Sequence, residues 1–410
     1  MKSLKRVFAL AVVLAMVLSS MPMVMAAATF DDVDVADQST VEALVGLGII
    51  TGYDEDGKML FKGDQTITRA EFATIICRLI GMGDAAASQR ATDFTDVPST
   101  HWASGYIKTA ADTNGIINGY GDGTFGPEDN VTYEQAVKMI VCALGYQTKA
   151  EEEGTYPAGY LFVAKTMGLT DGVSGTVGQE ATRMTVANLL NNSLTLPLMQ
   201  KIVSGTKSAY YGIFDGAEYK PRKTVLSEYL NAVKLTGILQ HNSISNDGLK
   251  ENQVIVEISD NYQTRATITN DAYAENSVIK LYVGETNAKN LLGKKVDAFV
   301  TFESNKNYYP TILSITESTV TDDKLVLDLA DIVSMEDKTD YYAVKYWTDK
   351  ATGKDKTFYI DDDTKFYVNG EQTFSAEELA DEVNGDTAVL ADRFTTIEFT
   401  LVGNETGSYD

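Results

Sequence analysis

Ile67-Thr68-Arg69-Ala70-Glu71 opens the segment whose reading decides the fold. Thr68 and Glu71 have the spacing of a capping box, in which the threonine oxygen takes the amide three residues on and the glutamate reaches back to the threonine amide. A helix therefore starts here, and Phe72, Ile75, Ile76 and Leu79 give it one apolar face. Arg69 then lies in the first turn, where the macrodipole favours anions over cations. Two readings of it follow: a guanidinium held ready for a carboxylate, whose geometry suits its planar fork, or a solvated cation paired with a nearby Asp.

The stretch recurs. Thr132-Tyr133-Glu134-Gln135 lies 64 residues on, and Thr182-Arg183-Met184-Thr185 is a more worn copy. Upstream, Gly48-Ile-Ile-Thr-Gly-Tyr53 answers Gly115-Ile-Ile-Asn-Gly-Tyr120, with Gly168-Leu-Thr-Asp-Gly172 as a shorter echo, and Phe30-Asp-Asp32-Val33 answers Phe94-Thr-Asp96-Val97. The second copy is the fullest: His101-Trp102 lead into a helix carrying Ile107 and Ala110, Gly115 ends it, a glycine-rich loop follows, and Thr132 starts a second helix. One helix pair cannot bury its apolar faces alone, so three copies must pack on one another.

Together these motifs resemble the S-layer homology domain, in three tandem copies over about 170 residues. The resemblance implies a compact, pseudo-threefold helical unit on Gram-positive-type surfaces, whose grooves between repeats hold a pyruvylated secondary cell-wall polysaccharide without covalent attachment. Carried onto this chain, the implied ligand-binding residues are Arg69, Thr68, Glu71, Asp32, Trp102, Asp96, Thr132 and Arg183. A pyruvate ketal carries a carboxylate, which an Arg at a helix start can take while backbone amides there add donors. Trp102 either packs on a sugar face or seals the helix start, and the Asp of each Phe-x-Asp-Val accepts sugar hydroxyls or caps the following turn. The second copy departs from the pattern with Tyr133 in place of arginine, so its groove uses another cation, such as Lys108 or Lys138, or does not bind. The third keeps Arg183 without the Glu and with a reduced loop.

The start of the chain sets the expected address. Lys2, Lys5 and Arg6 precede an apolar run from Val7 to Leu18, with small residues closing it at Ala26-Ala27-Ala28, the pattern of a secretory signal peptide over residues 1–28. The run is short for a membrane span, and no transmembrane segment is expected in the mature chain. The last residues, Glu405 to Asp410, read as neither hydrophobic tail nor sorting motif, so attachment is expected to come from the folded part. Removing the three signal-peptide cations takes the formal charge from −24 to −27. Such a surface repels nucleic acid and anionic headgroups, and binding a polyanionic wall polymer would need local cationic pockets. Cys77 and Cys142, the only cysteines, fall among Ile and Leu at nearly equivalent repeat positions and read as small buried hydrophobes, with a disulfide as the alternative.

Past Pro197 the apolar period changes to two. Leu226, Tyr229, Leu230 and Val233 suggest one helix, then Val254/Val256/Ile258, Ile279/Leu281/Val283, Val296/Ala298/Val300 and Ile397/Phe399/Leu401 alternate with polar residues as half-buried strands do. Tyr282-Val-Gly-Glu285 recurs as Tyr367-Val-Asn-Gly370, 85 residues on, which suggests two similar modules. Little chemistry is visible here. His241 reads as a loop residue with no cysteine nearby, and Asp361-Asp362-Asp363 as an acidic turn. Trp347 with Tyr341, Tyr342 and Tyr346 suits cross-strand packing or a sugar platform. Asp54-Glu55-Asp56-Gly57 opens like a calcium loop but meets Gln65 where the closing carboxylate belongs.

The expected architecture is a multidomain α + β chain, a helical pseudo-threefold repeat domain followed by all-β modules. Its parts are a signal peptide (1–28), repeats at 29–90, 91–147 and 148–200, a linker with a helix (201–233), and β-modules at 234–320 and 321–410. The expected function is non-covalent anchoring to wall polysaccharide and display of the β-modules as an S-layer or surface structural protein. No catalytic residue, metal or cofactor is assigned, and the partners are the polysaccharide and further copies of the chain in a lattice. The alternative is a wall-anchored polysaccharide- or peptidoglycan-acting enzyme with its site in the β-rich half, which would need two carboxylates about 5 to 10 Å apart.

Overall fold

A computed structural model describes residues 30–400 apart from 89–90, 113–114, 205–206, 213, 216–219, 222, 244–245, 247, 262–277, 302–308, 319–323, 339–340, 362–364, 369–370 and 386–395. The signal-peptide segment and Asp362-Asp363 lie outside the described residues.

The helical half runs α1 (Val35–Gly46), α2 (Arg69–Leu79), α3 (Gly83–Ser88), α4 (Ser104–Asp112), α5 (Tyr133–Ala143), α6 (Gln147–Glu153), α7 (Ala158–Thr166) and α8 (Arg183–Ser193). The sequence states why these helices begin and end where they do. At α2 the Thr68 hydroxyl accepts from Glu71 N (3.2 Å) while Thr68 N donates to the Glu71 carboxylate (2.8 Å). Gly48, Gly115 and Gly168, which follow α1, α4 and α7, all have positive φ, the left-handed turn that stops a helix. The turn Glu55-Asp56-Gly57-Lys58 joins a short hairpin, β1 (Tyr53–Glu55) and β2 (Lys58–Leu60), with both central residues at positive φ.

Backbone hydrogen bonds link the helix-loop units. Arg69 N and Ala70 N, at the start of α2, donate to Asp129 O (2.9 Å) and Pro127 O (3.0 Å) in the loop before α5. Tyr133 N, at the start of α5, donates to Gln179 O (2.9 Å) before α8, and Arg183 N and Met184 N return to Gln65 O (2.8 Å) and Gly63 O (2.9 Å) before α2. The contacts therefore close on themselves. They also satisfy first-turn amides that a helix leaves without an internal partner. Ile67, Val131 and Ala181 sit between them and are almost wholly buried, with Val131 N donating to Ile67 O and Ala181 N to Val131 O.

Hairpins β3–β4 (Met199–Ser204, Lys207–Gly212) and β5–β6 (Phe214–Asp215, Lys220–Pro221) follow, where a linker was expected. The helix expected over Leu226–Val233 is the single turn and a half α9 (Val225–Tyr229), because Asn231 turns left-handed and strand β7 (Ala232–Asn242) begins at once. His241 is in that strand, paired with Ile255, and not in a loop. With β8 (Gln253–Asn261), β9 (Val278–Tyr282), β10 (Lys295–Thr301) and β11 (Ile312–Glu317), β7 forms an antiparallel sheet in the order β11-β10-β7-β8-β9. A parallel bridge from Tyr282 to Thr311 ties its two edge strands together, and Tyr282 N donates to Pro310 O (2.8 Å). This is the arrangement of a five-stranded Greek-key barrel of the OB type. Val233, Leu235, Val254, Val256, Leu281, Val296 and Val300 fill it; the period-two pattern picked out the last five, whereas Val233 was expected in a helix.

The remaining strands are β12 (Lys324–Asp328), β13 (Ile332–Asp337), β14 (Tyr341–Asp349), β15 (Lys354–Asp361), β16 (Lys365–Val368), β17 (Glu371–Ser375) and β18 (Thr396–Thr400), with α10 (Ala376–Val383) before the last. They have their own core around Val344, Phe358, Leu379 and Phe399. The strand after α10 pairs back with the first strand of this region, β18 with β12; in the barrel β10 likewise pairs back with its first strand, β7. On β14, Tyr342 and Tyr346 pack against this core, whereas Tyr341 stays exposed, edge to face with Tyr359 at 5.5 Å.

Both cysteines are free and buried in the helical core, and burial pushes each thiol up to about 12. The expected outcome is that neither reacts with a thiol-labelling reagent at pH 8 until denaturant is added, after which two thiols label. Rapid native labelling measured by mass spectrometry would contradict this packing.

Candidate functional site

Arg69 is 5% exposed, held by the loop that precedes α5. Its Nε donates to Phe125 O and its Nη2 to Asn118 O, both at 2.8 Å. Its guanidinium lies over the rings of Tyr120 (4.8 Å) and Phe125 (4.5 Å). Arg183 repeats the arrangement: Nε to Phe61 O and Nη2 to Thr51 O, both 3.0 Å, between the rings of Tyr53 and Phe61. One edge of each guanidinium therefore holds backbone, while no hydrogen bond is assigned to Nη1 among the described residues. Burial lowers the pKa of Arg69, opposed by the charges of Tyr120, Asp129, Tyr156 and Asp96. An arginine stays protonated regardless.

The other residues singled out in the sequence fall into clear places. Asp32 accepts from Phe61 N and Lys62 N (both 2.7 Å), and Asp96 from Phe125 N (2.8 Å) and Gly126 N (2.7 Å). Both oxygens of each carboxylate thus fasten the loop against which an arginine lies. Thr68 and Glu71 cap α2, and Thr182 caps α8 by accepting from Thr185 N (3.2 Å). Thr132 differs: its amide reaches Gln135 Oε1 at 3.3 Å, and its hydroxyl is buried without a partner. Trp102 stacks on His101 (5.8 Å, 27°) and packs against the helical core. In the first turn of α2, Arg69 N and Ala70 N donate to carbonyls and Glu71 N to the Thr68 hydroxyl, so these amides are already occupied.

Tyr133 sits where the other copies have arginine, and the loop facing it compensates. Its ring occupies the space above Gly175, whose Cβ, if present, would lie 2.1 Å from Tyr133 Cδ2. Counting back from the following helix, Gly175 is the counterpart of Phe61 and Phe125. Two interfaces set arginine against phenylalanine and the third sets tyrosine against glycine. The neighbouring Glu134 is buried and accepts from Gly178 N (2.9 Å), a carboxylate supplied by the chain itself.

Lys138 does not replace the missing arginine in its own copy. With the Asn118 amide turned so that its oxygen faces the lysine, Nζ lies 3.1 Å from Oδ1, on the residue whose carbonyl holds Arg69. Its Nζ also lies 5.5 Å from the Tyr156 ring and 5.6 Å from Tyr160. Arg69 and Lys138 thus converge on Asn118 beside Tyr120 and Tyr156, two rings that remain half exposed. In the Arg183 interface Lys62 lies over Tyr53 at 4.7 Å in the same way. Lys108 pairs instead with Asp112 on its own helix (2.9 Å). Tyr53, Tyr120 and Tyr156 were missed as site residues in the sequence, although the repeated Gly-Tyr ending of Gly-Ile-Ile-x-Gly-Tyr marks the first two.

The class this arrangement defines is a repeat module whose inter-unit seams carry arginine, lysine and tyrosine. Residues 29–73 and 93–137 match the family model of the S-layer homology domain. The chain is 35% identical over 209 residues to a surface layer protein of Brevibacillus choshinensis, covering 50% of this chain and 18% of that protein. It is 33% identical over 222 residues to a middle cell wall protein of Brevibacillus brevis (53% and 20%), and 33% over 232 residues to a cell surface protein of Thermoanaerobacter kivui (55% and 29%). The chain spans less than a third of the length of these relatives. The matches mark it as a secreted protein associated with the cell wall or cell surface. No helix among the described residues is long and apolar enough to cross a membrane.

Two outcomes are expected here. Tyr133→Arg and Gly175→Phe should each lower stability, Gly175→Phe by about 2 kcal/mol or more through overpacking. The double variant should recover part of the loss in a denaturant double-mutant cycle; strict additivity would refute the exchange. For Asp96, burial opposes ionisation, but the amides of Phe125 and Gly126 outweigh it and hold the carboxyl below its ordinary value. Its stabilisation is therefore complete above the unfolded-state pKa of about 4 and is lost as pH falls through the folded value. The gap in thermal midpoint between the parent and Asp96→Asn should narrow on acidification below pH 4.

Proposed function

We propose that the protein is a non-catalytic surface protein held on the bacterial wall by its helical repeats. Residues 1–28 direct its export. Units at 29–90, 91–147 and 148–200 form a pseudo-threefold module, and its seams take a carboxylate-bearing, pyruvylated secondary cell-wall polysaccharide. The β-rich half is displayed outward as an S-layer or surface structural part, with other copies of the chain as neighbours. The closed set of hydrogen bonds from 65 to 69, 129 to 133 and 179 to 183 supports the module, and the relatives named for the cell wall and cell surface support the address.

The observation that carries the ligand reading is the convergence of Arg69 and Lys138 on Asn118 beside the half-exposed rings of Tyr120 and Tyr156. In a chain of net charge −24, a local pair of cations answers the need for a pocket that attracts an anion. The tyrosine rings offer flat faces to the C–H side of a sugar. Thr68, Glu71, Asp32, Asp96, Thr132 and Trp102 act in this reading by shaping the seams, and Arg183 with Tyr53 provides a second pocket, where Lys62 is already paired with Glu55.

Arg69→Ala is a poor test because it would strand two carbonyls and a buried loop. Lys138→Glu in the full chain is better, since the lysine reaches the pocket with its stem on tyrosine rings. Sedimentation with wall sacculi should show affinity lowered tenfold or more at 0.1 M salt, with a thermal midpoint close to the parent's. Chemical removal of the non-peptidoglycan polymer from the sacculi should abolish binding by both proteins. Equal binding by Lys138→Glu, or undiminished binding to stripped walls, would overturn the reading.

A further inference from the structure

The first β barrel abuts the helical repeats. The hydrophobic cluster of the helical half runs without a break into Val225, Leu226 and Ala232 and takes in Phe299 from the outer face of β10, with Leu230 and Leu313 packed against it. Helix α1 lies along β11. At its last residue, Gly46, an added Cβ would fall 2.3 Å from Leu313 O and 3.0 Å from Ser314 Cβ. Just past the second helix of the same unit, Gly81, at positive φ, stands equally close to α9, with 2.3 Å from an added Cβ to Tyr229 O.

The repeats supply an internal control for Gly46. It precedes the helix-stopping glycine by two positions, and at that position the second and third units carry Thr113 and Thr166. Gly46 closes α1 without the positive φ found at Gly48. Its backbone conformation therefore does not demand glycine, and glycine weakens a helix relative to alanine. Thr166, in contrast, is exposed at the end of α7, its hydroxyl bonded to Phe162 O. The position is glycine in the unit whose first helix lies against β11.

We propose that the outer face of the first repeat, centred on Gly46, is a docking surface for the first β barrel, and that repeats and barrel form one cooperative body from Phe30 to about Glu317. The barrel then serves as a fixed pedestal that continues the anchor. The boundary drawn near residue 200 from sequence periodicity marks a change of secondary structure within this body. The inference is independent of which polymer the seams hold.

Gly46→Thr in the full chain, which installs the residue of the other two units, tests it by hydrogen exchange. Amide protection in β11 (Ile312–Glu317), far away in sequence, should fall tenfold or more together with protection in α1, while strand β14 is unchanged. Thr166→Gly, the reverse exchange in the third unit, should leave β11 untouched. Should Gly46→Thr fail to fold, Leu313→Glu approaches the contact from the barrel side and should loosen α1 to the same degree. Unchanged protection in β11 for Gly46→Thr, or in α1 for Leu313→Glu, would overturn the proposal, as would separate melting of repeats and barrel at their isolated-fragment midpoints.

Discussion

The interaction on which the helical half depends is the capture of each second helix by the loop of the next unit. First-turn amides have no partner within their own helix, and a short helix pair cannot bury its own apolar face. Arg69 N, Ala70 N, Tyr133 N, Arg183 N and Met184 N all find carbonyls in a loop of a different unit. Arg69 and Arg183 follow with their side chains, filling the bend of that loop and donating to its carbonyls. The loops in turn are stiffened by Asp32 and Asp96, each holding two amides. Removing any one part would leave buried polar groups unpaired at the others, so the seams are cooperative by construction.

This arrangement changes what the arginines do. A guanidinium with two donors committed to backbone is first a structural bolt, and its charge is felt beyond the seam because burial screens it less than water would. Lys138, held over tyrosine rings near the Arg69 loop, extends the positive region toward solvent, whereas Lys62 over Tyr53 is paired with the Glu55 carboxylate. The third seam lacks this character: Tyr133 fills the place of arginine and Glu134 supplies its own carboxylate to the loop amide of Gly178. One large side chain meets the opposing loop at all three seams, but only two of them carry the arginine's charge.

The β-rich half follows a different logic. Strand alternation turns one apolar stripe of each strand toward a core, and in both assemblies a later strand returns to pair with the first, β10 with β7 and β18 with β12. The first barrel turns a further apolar patch, Phe299 and Leu313, toward the repeats, so its outer face is not uniformly polar. The aromatic residues of β14 divide by the same alternation, Tyr342 and Tyr346 to the core and Tyr341 to solvent.

The sequence by itself determined the starts of the repeat helices, the helix-stopping glycines and the buried faces of β8, β9, β10 and β18, because capping and periodicity act within a few residues. It also exposed the internal repeat and hence the need for units to pack on one another. Only the tertiary structure decided where the singled-out side chains went. Arg69 belongs to the loop at Asn118–Phe125, Lys138 joins that arginine, Asp96 is consumed by amides, and Gly46 faces a strand more than 260 residues away in the chain. The physical reason is that a cation, a carboxylate or a glycine has the same local signature whether it meets solvent, a ligand or a distant piece of backbone. That choice is made by contacts between residues far apart in sequence.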